Sequence, residues 1–345
     1  MEKNNLFNIK RFKIFIAVFI TLGFVLILFY FLVMIKNSPD NEKSSEFYEN
    51  YYSNITQKNG VDYAFAKLKK DYDLHPDIKS DCHQITHAIG RAAAEKYIDV
   101  GQAFQHGDSF CWSGYYHGVM EGLLIKVKTT NMSGKINFIC SNISGKEKYS
   151  FDYYNCVHGL GHGVMYTNEN ELFQSLKICD DLDGWWEQNS CYGGVFMENV
   201  ISDDKYHFTK YLKIDDPFYP CNKVEEKYKG TCYLMQTSHM LDLKDWNFEK
   251  VFQLCSQVEA DFQDTCYQSL GRDASGYTES DVEKTKRICM FGKDFQQRSN
   301  CVIGAAKDFV AYYHSATEAK KLCTSSPKRL KEMCFTTVNE FLGNF

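Results

Sequence analysis

An all-α fold is predicted for this 345-residue chain: an α-solenoid of disulfide-stapled helix-turn-helix repeats behind an N-terminal transmembrane helix. Three observations predict it. Cysteine pairs recur at nearly constant spacing, apolar residues recur at three-to-four intervals rather than in alternation, and one long apolar run stands near the N-terminus.

Residues Ile14 to Ile35 are almost entirely apolar. At about 1.5 Å per residue such a helix reaches roughly 33 Å, enough to cross a bilayer. The run is long for a cleaved signal peptide, and no small-residue cleavage site follows Met34, Ile35 and Lys36. Lys3, Lys10, Arg11 and Lys13 precede it, so the positive-inside bias makes residues 1–13 a cytoplasmic tail and the bulk of the chain extracytoplasmic. The membrane is then a partner through this helix. Residues 36–59, dominated up to Asn54 by Ser, Asn, Glu and Lys, read as a linker.

From Gly60 the pattern is helical. Val61, Tyr63, Ala64, Phe65, Leu68 and Tyr72 make an apolar face at mostly three-to-four spacing that ends before Pro76. An exported chain can form disulfides, and the cysteine count, 14, is even. Pairing them in order joins Cys179 with Cys191, Cys221 with Cys232, Cys255 with Cys266, Cys289 with Cys301, and Cys323 with Cys334. The second members Cys232, Cys266, Cys301 and Cys334 follow one another at 34, 35 and 33 residues, the length of one helix-turn-helix unit. Each first cysteine is expected to close a helix and each second to open the next, where a bridge closes without strain. Cys140 with Cys156 fits the scheme, which leaves Cys82 for Cys111. No Cys-x-x-Cys pair offers thiolates to zinc. Lys126 to Lys148 and residues 202–220 interrupt the period, the former as an exposed insertion. The chain thus divides into histidine-rich repeats over 60–200 and repeats with cysteine pairs alone over 201–345.

Period and helix-pair form resemble the tetratricopeptide-type α-hairpin repeats over most of residues 60–345. That resemblance implies a curved stack of helix pairs with one helix of each pair on a concave face, a shape most often used to bind proteins or peptides.

Five of the 10 histidines cluster on three cysteine-led segments. His83 and His87 stand four apart after Cys82, His117 and Glu121 four apart after Cys111, and His158 and His162 four apart after Cys156. Residues at that spacing share a helix face. Stacking the units brings His83, His87, His117, His158 and His162 together, with Glu121 and Glu198 nearby. Two imidazoles from one rigid helix, completed by a third or by a carboxylate, make a site for zinc, iron, manganese or copper. With zinc the chemistry is hydrolytic, Glu121 or Glu198 acting as general base; with iron or copper it is oxidative. Glycines such as Gly114, Gly118, Gly161 and Gly194 permit close approach of neighbouring helices or of a ligand. Arg91 and Arg272 read more simply as surface ion pairs than as holders of an anionic group, while Gln236, Thr237 and Ser238 fit a polar groove floor and capping or core-satisfied roles equally.

The competing reading is a non-enzymatic scaffold that holds a peptide on its concave face, its histidines structural. Haem ligation ranks last, since Cys-x-x-Cys-His is missing. Net charge is −5 with no basic block beyond the tail, which argues against nucleic acid as a partner. No nucleophile elbow, Walker loop or dinucleotide-binding fingerprint occurs.

Overall fold

A computed structural model describes residues 45–97, 99–125, 136–201, 209–313 and 315–343. The predicted membrane helix at 14–35 lies outside them. Among the described residues no helix is long and apolar enough to cross a membrane. No strand occurs among them either.

The helices begin with α1 Ser45–Asn59, α2 Val61–Tyr72, α3 Pro76–Ser80, α4 Cys82–Lys96 and α5 Val100–Phe104. Next come α6 Gly114–Leu124, α7 Ile136–Ile139, α8 Phe151–Thr167, α9 Leu172–Cys179 and α10 Trp185–Val200. The remainder are α11 Glu226–Asp242, α12 Phe248–Cys255, α13 Ala260–Tyr277, α14 Val282–Cys289, α15 Phe295–Tyr313, α16 Ala316–Ser325 and α17 Lys328–Gly343. The long helices form a row in which each packs on the next, α1 on α4, α4 on α6, and so on through α8, α10, α11, α13 and α15 to α17. The short helices α9, α12, α14 and α16 flank this row, each beside the long helix that follows it.

Helix α1 corrects the linker assignment for residues 45–59. Its Tyr48, Tyr52 and Thr56 are buried at four-residue intervals, and the Tyr52 hydroxyl donates to Asp71 at 2.7 Å. A stripe of three in a polar segment is too sparse for composition to register, yet it suffices to dock the helix.

All seven expected disulfides are present, Cys82–Cys111, Cys140–Cys156, Cys179–Cys191, Cys221–Cys232, Cys255–Cys266, Cys289–Cys301 and Cys323–Cys334. The first cysteines do end the short helices α9, α12 and α14. The second cysteines do not open theirs. Cys191, Cys232, Cys266, Cys301 and Cys334 each lie about two turns into a long helix, so the bridge fastens the end of a short helix to its partner's flank. The tyrosine after the cysteine is buried in three units, and two of these reach an acidic residue near the end of a short helix. Tyr192 donates to Asp180 at 2.6 Å and Tyr233 to Glu259 at 2.7 Å.

The insertion is less exposed than expected. Residues 126–135 lie outside the described set, but Ile136, Cys140 and Ile143 are buried, and Asn137 bonds Asp183 at 3.0 Å.

Glycine sets the distance between the helices that matter most. A Cβ on Gly118 would fall on the His87 carbonyl, and one on Gly90 on the Tyr115 carbonyl; Gly194 and Gly161 meet the His158 and Cys191 carbonyls in the same way. Gly271 and Gly304 repeat the crossing between α13 and α15, where no histidine stands, so these glycines serve helix packing in their own right. Gly118→Ala is expected to cost about 3 kcal/mol by forcing two backbones apart, more than ordinary overpacking because no flexible side chain can give way. A thermal or urea midpoint equal to wild type would contradict it.

The row also meets itself. Trp112, ahead of α6, contacts the Tyr312 ring of α15 at 4.9 Å between centroids, and Lys79 of α3 pairs with Glu279 beyond α13 at 2.5 Å. These contacts join the beginning of the array to its later helices, beyond the neighbour-only contacts of an open stack.

Candidate metal centre

The five predicted histidines meet in one place. His87, His117, His158 and His162 are buried and His83 is partly so. His117 stands between two pairs, its ring 5.5 and 5.3 Å from those of His83 and His87, and 5.2 and 4.2 Å from those of His158 and His162. Helices α4 and α8 each present two imidazoles one turn apart, while α6 lies between them and contributes His117. The glycine crossings make this possible, since Gly118 and Gly194 press their helices against the backbone of His87 and of His158.

Hydrogen bonds settle which nitrogen of His83 and of His87 faces inward. His83 Nδ1 lies 2.8 Å from the Cys111 carbonyl, which only accepts, so that nitrogen carries the proton. His87 Nδ1 donates to Glu121 Oε1 at 2.6 Å. The Nε2 lone pairs of His83 and His87 therefore face each other, 3.1 Å apart. Nitrogens about 2.0–2.1 Å from a tetrahedral ion lie roughly 3.3 Å from one another, close to this separation. Three groups have ligand atoms within 4.8 Å of one another: His83, His87 and His117; His117, His158 and His162; and Glu121, His162 and Glu198.

The first group has the better directions. Its rings cross at 66°, 72° and 76°, as planes converging on one point do, whereas His117 lies at 14° to His162 and stacks on it.

Glu121 and Glu198 are both buried against imidazole Nδ1 atoms, Glu198 Oε2 accepting from His162 at 2.6 Å. Glu121 Oε2 also accepts from Arg91 Nη1 at 2.7 Å, and Arg91 Nη2 reaches Glu49 at 3.0 Å. Arg91 thus belongs to the centre rather than to a surface ion pair. Its signal was in the sequence, because His83, His87 and Arg91 form one stripe at four-residue steps. Tyr154, His158 and His162 form the matching stripe on α8, with the Tyr154 hydroxyl 3.4 Å from His158 Nδ1. Glu49 had no such signal.

Burial keeps His117, His158 and His162 neutral. It holds His117 and His162 well below the usual imidazole range, with neighbouring imidazoles adding to the effect. It pushes His158 down to about 4, against a hydrogen bond to the Ser190 backbone that favours the charged form. Neutral imidazole is the form that ligates metals.

The remaining polar candidates are accounted for by protein partners. His239 bonds the Lys213 carbonyl at 3.1 Å, Gln236 donates to the Pro217 and Tyr219 carbonyls, and Thr237 and Ser238 donate to Asp273. Arg272 is held by Asp273, Ser238 and the Leu234 carbonyl. Comparison with known proteins gives no matching family model, no matching curated protein and no matching solved structure, so this geometry stands as the functional evidence for the chain.

Proposed function

We propose that this chain is a membrane-tethered, extracytoplasmic metalloprotein: a solenoid of stapled repeats in which His83, His87 and His117 bind a transition ion. One observation carries the reading. Two buried-side imidazoles direct Nε2 lone pairs at each other across 3.1 Å, an arrangement that a cation between them stabilises and that is repulsive without one. Seven disulfides support an oxidising compartment, and the apolar run at 14–35 supports the tether.

Three protein ligands leave a coordination position open, the pattern of catalytic rather than structural sites. Zinc there supplies hydrolytic chemistry, and copper or iron oxidative chemistry. Glu121 and Glu198 act as orienting carboxylates rather than general bases, since each is spent on an imidazole Nδ1 and so fixes its tautomer and direction. The contacts of Trp112 with Tyr312 and of Lys79 with Glu279 tie early helices to late ones, which an open peptide-binding stack does not require.

The test is elemental analysis of the full-length protein purified in detergent and equilibrated with zinc. Bound metal is expected in wild type, and the ion held by His83, His87 and His117 is expected to be lost from a His83→Ala/His117→Ala variant of unchanged helicity. Glu121→Gln is expected to keep the ion with 10–100-fold weaker affinity. Wild-type protein that stays metal-free under these conditions would sink the proposal.

A further inference from the structure

We infer that the centre is built for two ions, the second held by His158 and His162 beside the one on His83 and His87. This rests on the metal reading above and extends it.

The second pair repeats the construction of the first. His162 Nδ1 donates to Glu198 at 2.6 Å, and His158 turns its Nδ1 edge to α10 beside Gly193, on the side where the ring hydrogen-bonds the Ser190 backbone, so the proton of each ring is assigned to Nδ1. Their Nε2 lone pairs are left facing each other at 3.4 Å, again close to the edge of a coordination tetrahedron. In each half a long helix provides two imidazoles and the next long helix provides the carboxylate: α4 with Glu121 of α6, α8 with Glu198 of α10. In each half a glycine on the carboxylate's helix, Gly118 or Gly194, abuts the backbone of one of those histidines.

One ion cannot serve both pairs as they stand. The His87 and His162 rings are 5.9 Å apart at 75°. His117 and His162 are nearly parallel, so their in-plane lone pairs run side by side instead of converging. Two separate sets of facing lone pairs call for two cations. His117 lies between them, its buried Nδ1 without a hydrogen-bond partner in the protein, and as a neutral imidazole it offers one lone pair, assigned here to the ion on His83 and His87. The inward-facing donors are imidazole nitrogens, which suits zinc or copper better than manganese, magnesium or calcium.

The experiment is titration of the metal-depleted full-length chain with Co(II), followed by visible absorption, with zinc content measured in parallel. Absorption is expected to rise to a break at two equivalents, and zinc to reach two per chain. His158→Ala/His162→Ala and His83→Ala/His87→Ala should each retain one ion, and His239→Ala should retain two. A break at one equivalent in wild type overturns the second ion and leaves the metal reading intact. No binding at all overturns both. The wild-type break needs no variant, so a misfolded double mutant does not blunt the test.

Discussion

Reduction of the disulfides is expected to unfold the chain outright. The bridges close loops of 11 to 29 residues, each of which restricts the unfolded chain by about 3 kcal/mol on the loop-entropy relation. Seven such loops amount to roughly 20 kcal/mol, more than the 5–15 kcal/mol net stability typical of a folded domain. The short helices explain why the repeats depend on them. Helices α9, α12 and α14 have 8 residues each, below the length at which a helix persists alone, and each ends on a bridging cysteine. All of these cysteines are buried, so broken bridges also leave thiols in the core. Far-UV circular dichroism in excess reductant is expected to lose its cooperative melt. Removal of a single bridge, in Cys255→Ser/Cys266→Ser, should cost 2–4 kcal/mol. A reduced chain that still melts cooperatively near the oxidised midpoint would show that packing alone holds the repeats.

Much of this architecture was readable because cysteine reports its partner by spacing and histidine by helical step. The 11- and 12-residue separations identify the bridges without any knowledge of helix ends. The same economy misplaced the helix starts, since Trp185, Glu226, Ala260 and Phe295 begin helices that the cysteines were expected to open. Turn geometry was hidden for another reason. Paired left-handed residues leave α8, α11 and α13 at Glu169–Asn170, Asp245–Trp246 and Glu279–Ser280, one repeated turn written in unrelated residues, none of them glycine. Glu49 was missed because its segment is polar, and its place beside Arg91 depends on where α1 docks. Convergence of the imidazoles was legible; division into two facing pairs was not, because it depends on Nδ1 partners 28 to 36 residues away in sequence.

Acid is expected to destabilise the metal-free chain well before ordinary carboxylates titrate. His158 has its pKa lowered from 6.5 to about 4 by burial, so between those values the unfolded chain binds a proton that the folded chain refuses. Stability then rises with pH across this window, and a fall from pH 7 to 4 removes about 3 kcal/mol through His158 alone. His117 and His162 shift the same way and deepen the loss. Asp308 opposes them. Burial raises its pKa from 3.8 to about 6, so the folded chain takes up its proton first and gains stability as pH falls through 6. Part of Asp308 stays accessible, and its return is on the order of 2 kcal/mol, less than three imidazoles remove. The urea midpoint of chelator-treated protein is therefore expected to drop between pH 7.5 and 4.5. Asp308→Asn should raise the midpoint at pH 7.5 and steepen the drop, because the opposing group is gone. Saturating zinc should steepen it further, since each proton then also displaces metal. A midpoint that stays level across this range would mean that the imidazoles accept protons where they stand, as they would if the cluster were open to water.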